Sequence, residues 1–124
     1  MKINSYEELP IWKLSFTIAV DIYKLCARLK IDYGLRDQMQ RAAVSVPSNI
    51  SEGYERNNNN EFITFLRIAK GSLGELKTQL LIVSSIYSNA NKDTQSLLTN
   101  IHIMSCQLGA FLRYLRAVKR AQRS

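Results

Sequence analysis

The sequence contains few residues that interrupt helices and few that build reactive sites. Among its 124 residues are two prolines, five glycines, two cysteines and one histidine. Because proline and glycine are scarce, no long flexible linker is expected, and the length predicts a single domain over residues 1–124. Cys26 and Cys106 lie far apart and match no disulfide or metal-ligand spacing, so we expect reduced thiols packed as small apolar side chains.

Long apolar runs are absent as well. The most apolar window, residues 80–87, is short and is interrupted by Ser84 and Ser85, whereas a membrane-spanning helix needs roughly 18 consecutive apolar residues. Near the N-terminus, Glu7 and Glu8 stand where a signal peptide would have its apolar segment. We therefore expect a soluble, cytoplasmic protein that has no membrane partner.

Catalytic side chains are also scarce. His102 is the only histidine, and no nucleophile stands in a recognisable pattern with an acid or a base. A polar cluster on the second and third predicted helices is better explained by helix caps, ion pairs and subunit contacts than by an active site. The cluster comprises Arg41, Ser45, Ser48, Asn49, Glu52, Arg56, Glu61, Lys70 and Glu75. We predict a protein that is not an enzyme and that holds no metal and no cofactor.

Apolar residues repeat every three or four positions along four segments, a spacing that places them on one face of a helix. In the third segment the alternation is unbroken, through Phe62, Leu66, Ala69, Leu73, Leu76, Leu80, Val83 and Tyr87. The segments predict long helices over residues 10–30, 34–53, 60–88 and 94–121. Four such helices joined by short polar loops bury their apolar faces most simply as an all-α, antiparallel up-down-up-down four-helix bundle.

Proline and glycine occupy informative positions within these helices. Pro47 removes a backbone donor from the second helix, so we expect a kink near this residue; two short helices are the alternative. Gly53 is expected to end that helix. Gly71 and Gly74 lie inside the third helix, where each costs about 1 kcal/mol relative to alanine. We expect them to let another helix approach closely, rather than to line a ligand pocket.

Charge is distributed unevenly along the chain. The net charge is +7, and residues 94–124 hold five basic side chains and no acidic one. These side chains lie outside the apolar seam of the fourth helix and form a basic stripe of Arg113, Arg116, Lys119, Arg120 and Arg123. The stripe is suited to binding phosphates electrostatically; the alternative is a solubilising face at the negative end of the helix dipole.

The order of polar and small residues in the second and third predicted helices resembles that of a known protein family. The matching segments are residues 9–14, 33–35, 38–53, 56, 61–62, 65–66 and 69–76. Over essentially the whole chain, the sequence resembles the bacterial four-helix-bundle proteins encoded by intervening sequences in 23S rRNA genes. The resemblance implies that the matching motif residues determine fold and assembly, and it brings no catalytic residue. These residues are Arg41, Ser45, Pro47, Asn49, Glu52, Gly53, Arg56, Glu61, Gly71, Ser72 and Glu75.

The wider family includes the accessory variability determinant proteins of diversity-generating retroelements. These form pentameric barrels with a basic surface and associate with a reverse transcriptase and nucleic acid. The resemblance therefore implies a homopentamer and, less directly, binding of RNA or DNA. Trp12, Phe16 and Tyr23 on the first helix are our candidates for the contact between subunits, with a place in the core as the alternative. Two functions follow: a nucleic-acid-binding oligomer that uses the basic stripe, and a protein-interaction scaffold or accessory subunit that binds no nucleic acid itself.

Overall fold

The computed structural model describes residues 3–123, and of Arg123 only the backbone. Within this range the chain forms four helices and two short 3-10 turns, at Tyr6–Glu8 and Ser88–Ala90, and no strand. The helices are α1 (Pro10–Leu29), α2 (Tyr33–Glu55), α3 (Asn59–Ile86) and α4 (Asn91–Arg123). The predicted all-α class with four long helices is confirmed.

The helices begin where local polar groups satisfy their first turns. The carboxylate of Asp32 accepts a hydrogen bond from the amide of Leu35 (3.3 Å), and the side-chain carbonyl of Asn58 accepts one from the amide of Glu61 (3.0 Å). Both side chains thereby satisfy backbone donors that the first turn of a helix leaves free. As a result, α2 and α3 each begin one residue before the predicted position. The second 3-10 turn lies in the next connection. Helix α3 ends at residue 86, before the turn, and α4 begins at residue 91, directly after it.

One core lies between the four helices and is filled by the residues of the apolar seams. In α3 the buried set keeps the three-four alternation, through Phe62, Leu66, Ala69, Leu73, Leu76, Leu80 and Val83. The other helices contribute comparable sets, and Ile22, Met39 and Met104 are fully buried. Burying a side chain of this size contributes roughly 1.5–3 kcal/mol, so the seams supply most of the stabilisation. No helix in the described range combines the length and the apolar character that crossing a membrane requires.

Neighbouring helices contact each other at opposite ends. Near the start of α1 and the end of α2, the indole of Trp12 donates a hydrogen bond to the hydroxyl of Ser51 (2.9 Å). The start of α2 meets the end of α3 where the amide of Asp32 donates to the hydroxyl of Tyr87 (3.1 Å). Helix α4 contacts both α3 and α1, which completes the ring of four. Such contacts are expected of neighbours that run in opposite directions, and the antiparallel up-down-up-down order itself stays a prediction.

Helix α2 passes through Pro47 without interruption. The alternative of two short helices is therefore not realised, while the kink stays a prediction. Pro47 is buried, and its carbonyl accepts a hydrogen bond from the hydroxyl of Ser51 (2.9 Å). The side-chain amide of Asn49 donates to the carbonyl of Ser45 (2.8 Å). These side-chain bonds supplement the backbone ladder near the position where proline removes a donor.

Gly53 does not end α2, which continues to Glu55, so this prediction was wrong. No glycine in the described range has a positive φ, and Gly53 is therefore not a left-handed helix-ending residue. It is buried instead, and a β-carbon there would lie only 2.8 Å from side-chain atoms of both Phe62 and Phe65. Gly53 is thus the residue that lets α2 and α3 approach closely.

Gly71 and Gly74 do not have the role expected of them within the chain. Both are exposed, and a β-carbon at either position would meet nothing within 4 Å. Within the described range, no other helix packs closely against these two glycines. The expected close approach at these two glycines is therefore wrong for the single chain.

Replacing Gly53 by alanine is expected to destabilise the protein, whereas replacing Gly74 by alanine is expected to stabilise it. At residue 53 the added methyl group overpacks the contact between α2 and α3, which costs about 1–3 kcal/mol. At residue 74 alanine favours the helix by about 0.5–1 kcal/mol. Urea unfolding followed by circular dichroism measures both changes. Equal effects of the two substitutions would contradict the assignment of Gly53 as the contact glycine.

Candidate nucleic-acid interface

The outer surfaces of α3 and α4 meet in a groove of about 400 Å³ that is lined mainly by cations and glycines. Its lining residues are Arg67, Lys70, Gly71, Gly109, Leu112, Arg113 and Arg116. Four of these seven residues are basic and none is acidic. We refer to this feature as the α3–α4 basic groove.

Helix geometry brings the four cations together. Arg67 and Lys70 are three residues apart on α3, and Arg113 and Arg116 are three residues apart on α4, so each pair shares one face of its helix. Each pair also adjoins the buried seam of its helix. Packing of the two seams in one core therefore sets the two cationic faces side by side.

None of the four cations has an acidic partner among the described side chains. In the part of the chain whose side chains are described, the ion pairs join Arg28 to Asp93, Arg41 to Asp37, and Arg56 to Glu52 and Glu61. The groove therefore keeps its positive charge, and its two glycines leave part of the floor without side chains. Clustered arginine and lysine side chains of this kind can neutralise the phosphates of a nucleic acid.

A second, smaller depression continues the groove along the same two helices. It has a volume of about 220 Å³, and its lining includes Lys70, Gly74, Lys77, His102 and Ser105. Because Lys70 borders both cavities, the basic surface extends without a break into the second depression. No carboxylate lines either of them.

Part of the predicted basic stripe lies in this groove and part lies outside it. Arg113 and Arg116 line the groove, as the stripe would require. Arg120 is exposed and Lys119 is half-buried, and neither belongs to the groove lining. The side chain of Arg123 lies outside the described residues.

Three cations of α3 extend the site beyond the predicted stripe. Arg67 and Lys77 are absent from that stripe, and Lys70 was assigned to the polar cluster of the second and third helices. A usable signal is present in the sequence, since none of the three has an acidic residue three or four positions away. None of them can therefore form an ion pair of that spacing within its own helix. Their proximity to the cations of α4 depends on tertiary packing.

Comparison with known protein families shows to which family the chain belongs. The family model described as 23S rRNA-intervening sequence protein matches residues 7–110. The chain belongs to this family. The resemblance read from the motifs is thereby confirmed, while the relation to retroelement proteins stays a prediction.

The fold is shared with a solved structure. The chain is similar to a protein of unknown function from the S23 ribosomal protein family of Bacteroides thetaiotaomicron, with a TM-score of 0.75 and 20% sequence identity. The match covers 82% of this chain and 97% of that chain, and at this identity it shows the fold alone. A comparison with curated proteins found no match.

Several family motif residues form a hydrogen-bond network between α2 and α3. The hydroxyl oxygens of Ser45 and Ser72 are 2.8 Å apart, and the side-chain amide of Asn49 donates to the hydroxyl of Ser45 (2.9 Å) as well as to its carbonyl. All three side chains are half-buried, where an unsatisfied polar group would be destabilising. These residues therefore link the two helices. Of the motif residues, only Gly71 lines the basic groove.

The charged motif residues lie at the surface. Arg56 pairs with Glu52 (3.0 Å) and with Glu61 (3.4 Å), which connects the end of α2 to the start of α3. Arg41 pairs with an acidic residue of its own helix (3.0 Å). Exposed pairs of this kind typically contribute only about 0.2–1 kcal/mol. Glu75 is exposed and has no ion-pair partner among the described side chains.

The residues predicted for subunit contact divide into two groups. Trp12 is half-buried in its own chain, where it bonds to Ser51 and its ring stacks on that of Phe16, with centroids 5.1 Å apart. Phe16 and Tyr23 are 49% and 47% exposed and border an apolar depression of about 400 Å³ between α1 and α2. Its lining is Phe16, Ala19, Val20, Tyr23, Lys24, Val44 and Pro47. We refer to it as the α1–α2 apolar groove.

The two cysteines are free thiols in different environments. Cys26 is buried, and this burial raises the pKa of its thiol against a smaller lowering by the charge of Arg36. Cys106 is exposed, contrary to the expectation that both thiols are packed, and its sulfur lies 3.8 Å from Nε2 of His102. No group of three or more metal-ligating side chains occurs among the described residues.

The two thiols are expected to react at different rates with DTNB in the folded protein. Because the thiolate is the reactive species, exposed Cys106 should be labelled readily, whereas buried Cys26, with its raised pKa, should be labelled only after unfolding. The released chromophore should correspond to about one thiol per chain before guanidinium is added and about two afterwards. In a Cys106→Ser control the first value should fall to nearly zero. Equal rates for both thiols in the folded protein would contradict the burial of Cys26.

Proposed function

We propose that the protein binds nucleic acid through its phosphate groups, using the α3–α4 basic groove, and that it catalyses no reaction. The strongest support is the set of four groove cations, Arg67, Lys70, Arg113 and Arg116, none of which has an acidic partner among the described side chains. Each such cation can neutralise one phosphate and release a counterion. The family is named after an intervening sequence of 23S rRNA, so RNA is the nucleic acid to test first.

Binding of this kind depends on charge rather than on base sequence. The groove lining contains no aromatic side chain on which a base could stack, and no asparagine or glutamine to read the edge of a base. With three or four phosphates contacted on a single strand, the logarithm of the affinity should fall against the logarithm of the salt concentration with a slope of about −2 to −3. The described lining also lacks a carboxylate, a cysteine or a histidine that could pair with Lys70 as an acid or a base, which supports binding rather than catalysis.

Charge reversal inside the groove is expected to abolish RNA binding, whereas the same reversal outside it is not. The groove variant is Arg67→Glu/Arg113→Glu, and the matched control is Lys13→Glu/Lys92→Glu, which changes the net charge equally at exposed residues outside the lining and outside the predicted stripe. We expect the groove variant to lose about 100-fold in affinity for a labelled single-stranded RNA, and the control to lose about threefold through the weaker overall field. Fluorescence anisotropy at 50 mM and 200 mM salt measures both.

Two results would contradict the proposed groove. Equal losses in the two variants would show that binding follows the net charge and not the arrangement of α3 and α4. Absence of salt-sensitive RNA binding by the unaltered protein would remove the proposed function altogether.

We also propose that the protein acts as a homo-oligomer, for which the family resemblance implies five copies. Two surface features support a contact between copies. The α1–α2 apolar groove exposes Phe16, Val20, Tyr23 and Val44. On α4, residues 94–103 include no aspartate, glutamate, lysine or arginine, although Gln95, Thr99 and Ile103 are exposed.

Exposed aromatic side chains and a depletion of charge are typical of the centres of protein–protein interfaces. A closed ring of identical subunits needs two different surfaces on each subunit, and the apolar groove and the uncharged part of α4 meet that requirement. A different protein seated on the apolar groove is the second candidate, in which the chain is a scaffold that binds no nucleic acid itself. The exposed apolar lining of the groove favours this candidate too.

Placing charge in the apolar groove is expected to dissociate the oligomer. Size-exclusion chromatography with light scattering should give about 71 kDa for five copies of the 14.2 kDa chain. Phe16→Lys/Tyr23→Lys should lower this mass, since the new charges would be buried without partners. Asn60→Lys/Thr64→Lys, at exposed polar residues of α3, should leave it unchanged. A monomeric unaltered protein would contradict the homo-oligomer and leave the scaffold as the remaining use of the groove.

A further inference from the structure

Two cations from different helices converge over Gly109. A β-carbon at this residue would lie 3.4 Å from Nη1 of Arg113 and 3.7 Å from Nζ of Lys70. Together these distances limit the separation of the two charged nitrogens to 7.1 Å. Arg113 belongs to α4 and Lys70 to α3, so the bundle itself brings the two charges together.

No carboxylate among the described side chains neutralises this convergence of like charges. Arg28, Arg41 and Arg56 all contact carboxylates, whereas neither Lys70 nor Arg113 contacts one among the described side chains. Two cations at this distance repel each other unless an anion or solvent screens them. Their arrangement therefore suits an anion that lies between them.

We propose that Lys70 and Arg113 hold one phosphate group of the bound strand between them, with buried Gly109 beneath their two charged nitrogens. This inference rests on the proposed function, because the phosphate is one of those in the bound nucleic acid. The two nitrogens donate charge-assisted hydrogen bonds of about 2.8 Å, and two such bonds to one oxygen reach across about 5.6 Å. One oxygen can therefore bridge the shorter separations that the 7.1 Å limit allows, and two oxygens of one phosphate can bridge the longer ones.

The absence of a side chain at residue 109 is part of the site. Even a β-carbon would contact Nη1 of Arg113, and a longer side chain would displace the ends of Arg113 and Lys70 from the positions in which they can share one phosphate. Glycine lowers the stability of a helix interior relative to alanine, and a role in phosphate binding explains why glycine is nevertheless found at residue 109. Gly71, in the same lining, keeps the adjacent floor open.

Arg67 and Arg116 line the same groove but are not among the atoms nearest to Gly109. They serve as separate contacts to neighbouring phosphates. This difference makes the proposal testable, because two residues that hold one phosphate depend on each other, whereas residues that hold different phosphates act independently.

A pair of double-mutant cycles tests the shared phosphate. We expect each of Lys70→Gln and Arg113→Gln to lower RNA affinity about tenfold, and the double variant to lower it by about 10- to 30-fold and not by the additive 100-fold. In the control cycle, Arg67→Gln and Arg116→Gln should combine to about 100-fold. Anisotropy with a labelled single-stranded RNA gives all the affinities, and circular dichroism checks that each variant is folded.

A substitution that changes no charge provides an independent readout. Gly109→Leu should lower RNA affinity about tenfold by displacing the ends of Lys70 and Arg113, whereas Ala117→Leu, at an exposed residue of α4 outside the groove, should leave it unchanged.

The outcomes separate this inference from the proposed function. If Arg67→Glu/Arg113→Glu abolishes binding while Lys70→Gln and Arg113→Gln act additively and Gly109→Leu binds normally, the shared phosphate is refuted and the groove stands. If the unaltered protein binds no RNA, both proposals fall.

Discussion

Burial of four apolar seams against one another is the interaction on which the rest of this structure depends. Each seam repeats at three- and four-residue intervals, so it also determines which residues of its helix face outward. On α3, Leu66 and Leu73 point into the core, and this places Arg67 and Lys70 at its edge. On α4, buried Leu112 does the same for Arg113. The basic groove is therefore a consequence of core packing. Burial of the apolar seams stabilises the bundle, and the cations occupy the positions that the seams leave at the surface.

The contact between α2 and α3 is built differently from the one between α3 and α4. Between α2 and α3, Gly53 allows close approach to two phenylalanines, and the Ser45, Ser72 and Asn49 network adds polar bonds. Most of the family motif residues stand on this side of α3. On the opposite side, a β-carbon at Gly71 or Gly74 would meet nothing within 4 Å. One side of α3 is thus used for stability, and the other remains accessible to a ligand.

The apolar periodicity was sufficient to predict the class of the fold and the four helices, because burial leaves a direct imprint on the spacing of apolar residues. The roles of individual glycines were not predictable in the same way. Gly53 has the appearance of a helix end, and Gly71 has the appearance of a helix contact, but what a missing β-carbon would meet depends on a neighbouring helix. For the same reason, only part of the candidate site could be predicted from the sequence. Arg113 and Arg116 stood out through the charge asymmetry of the chain, whereas their approach to Arg67 is a product of the tertiary fold.

The central claim is that nucleic acid lies along the α3–α4 basic groove, and lysine footprinting tests it most directly without altering the protein. The chain would be acetylated briefly with and without single-stranded RNA, and the modification of each lysine would be quantified by mass spectrometry. Lys70 and Lys77, which line the groove and its continuation, should be protected by RNA, while Lys13, Lys24 and Lys92 should react as in the free protein. Protection of the second group with continued reactivity of Lys70 and Lys77 would contradict the account.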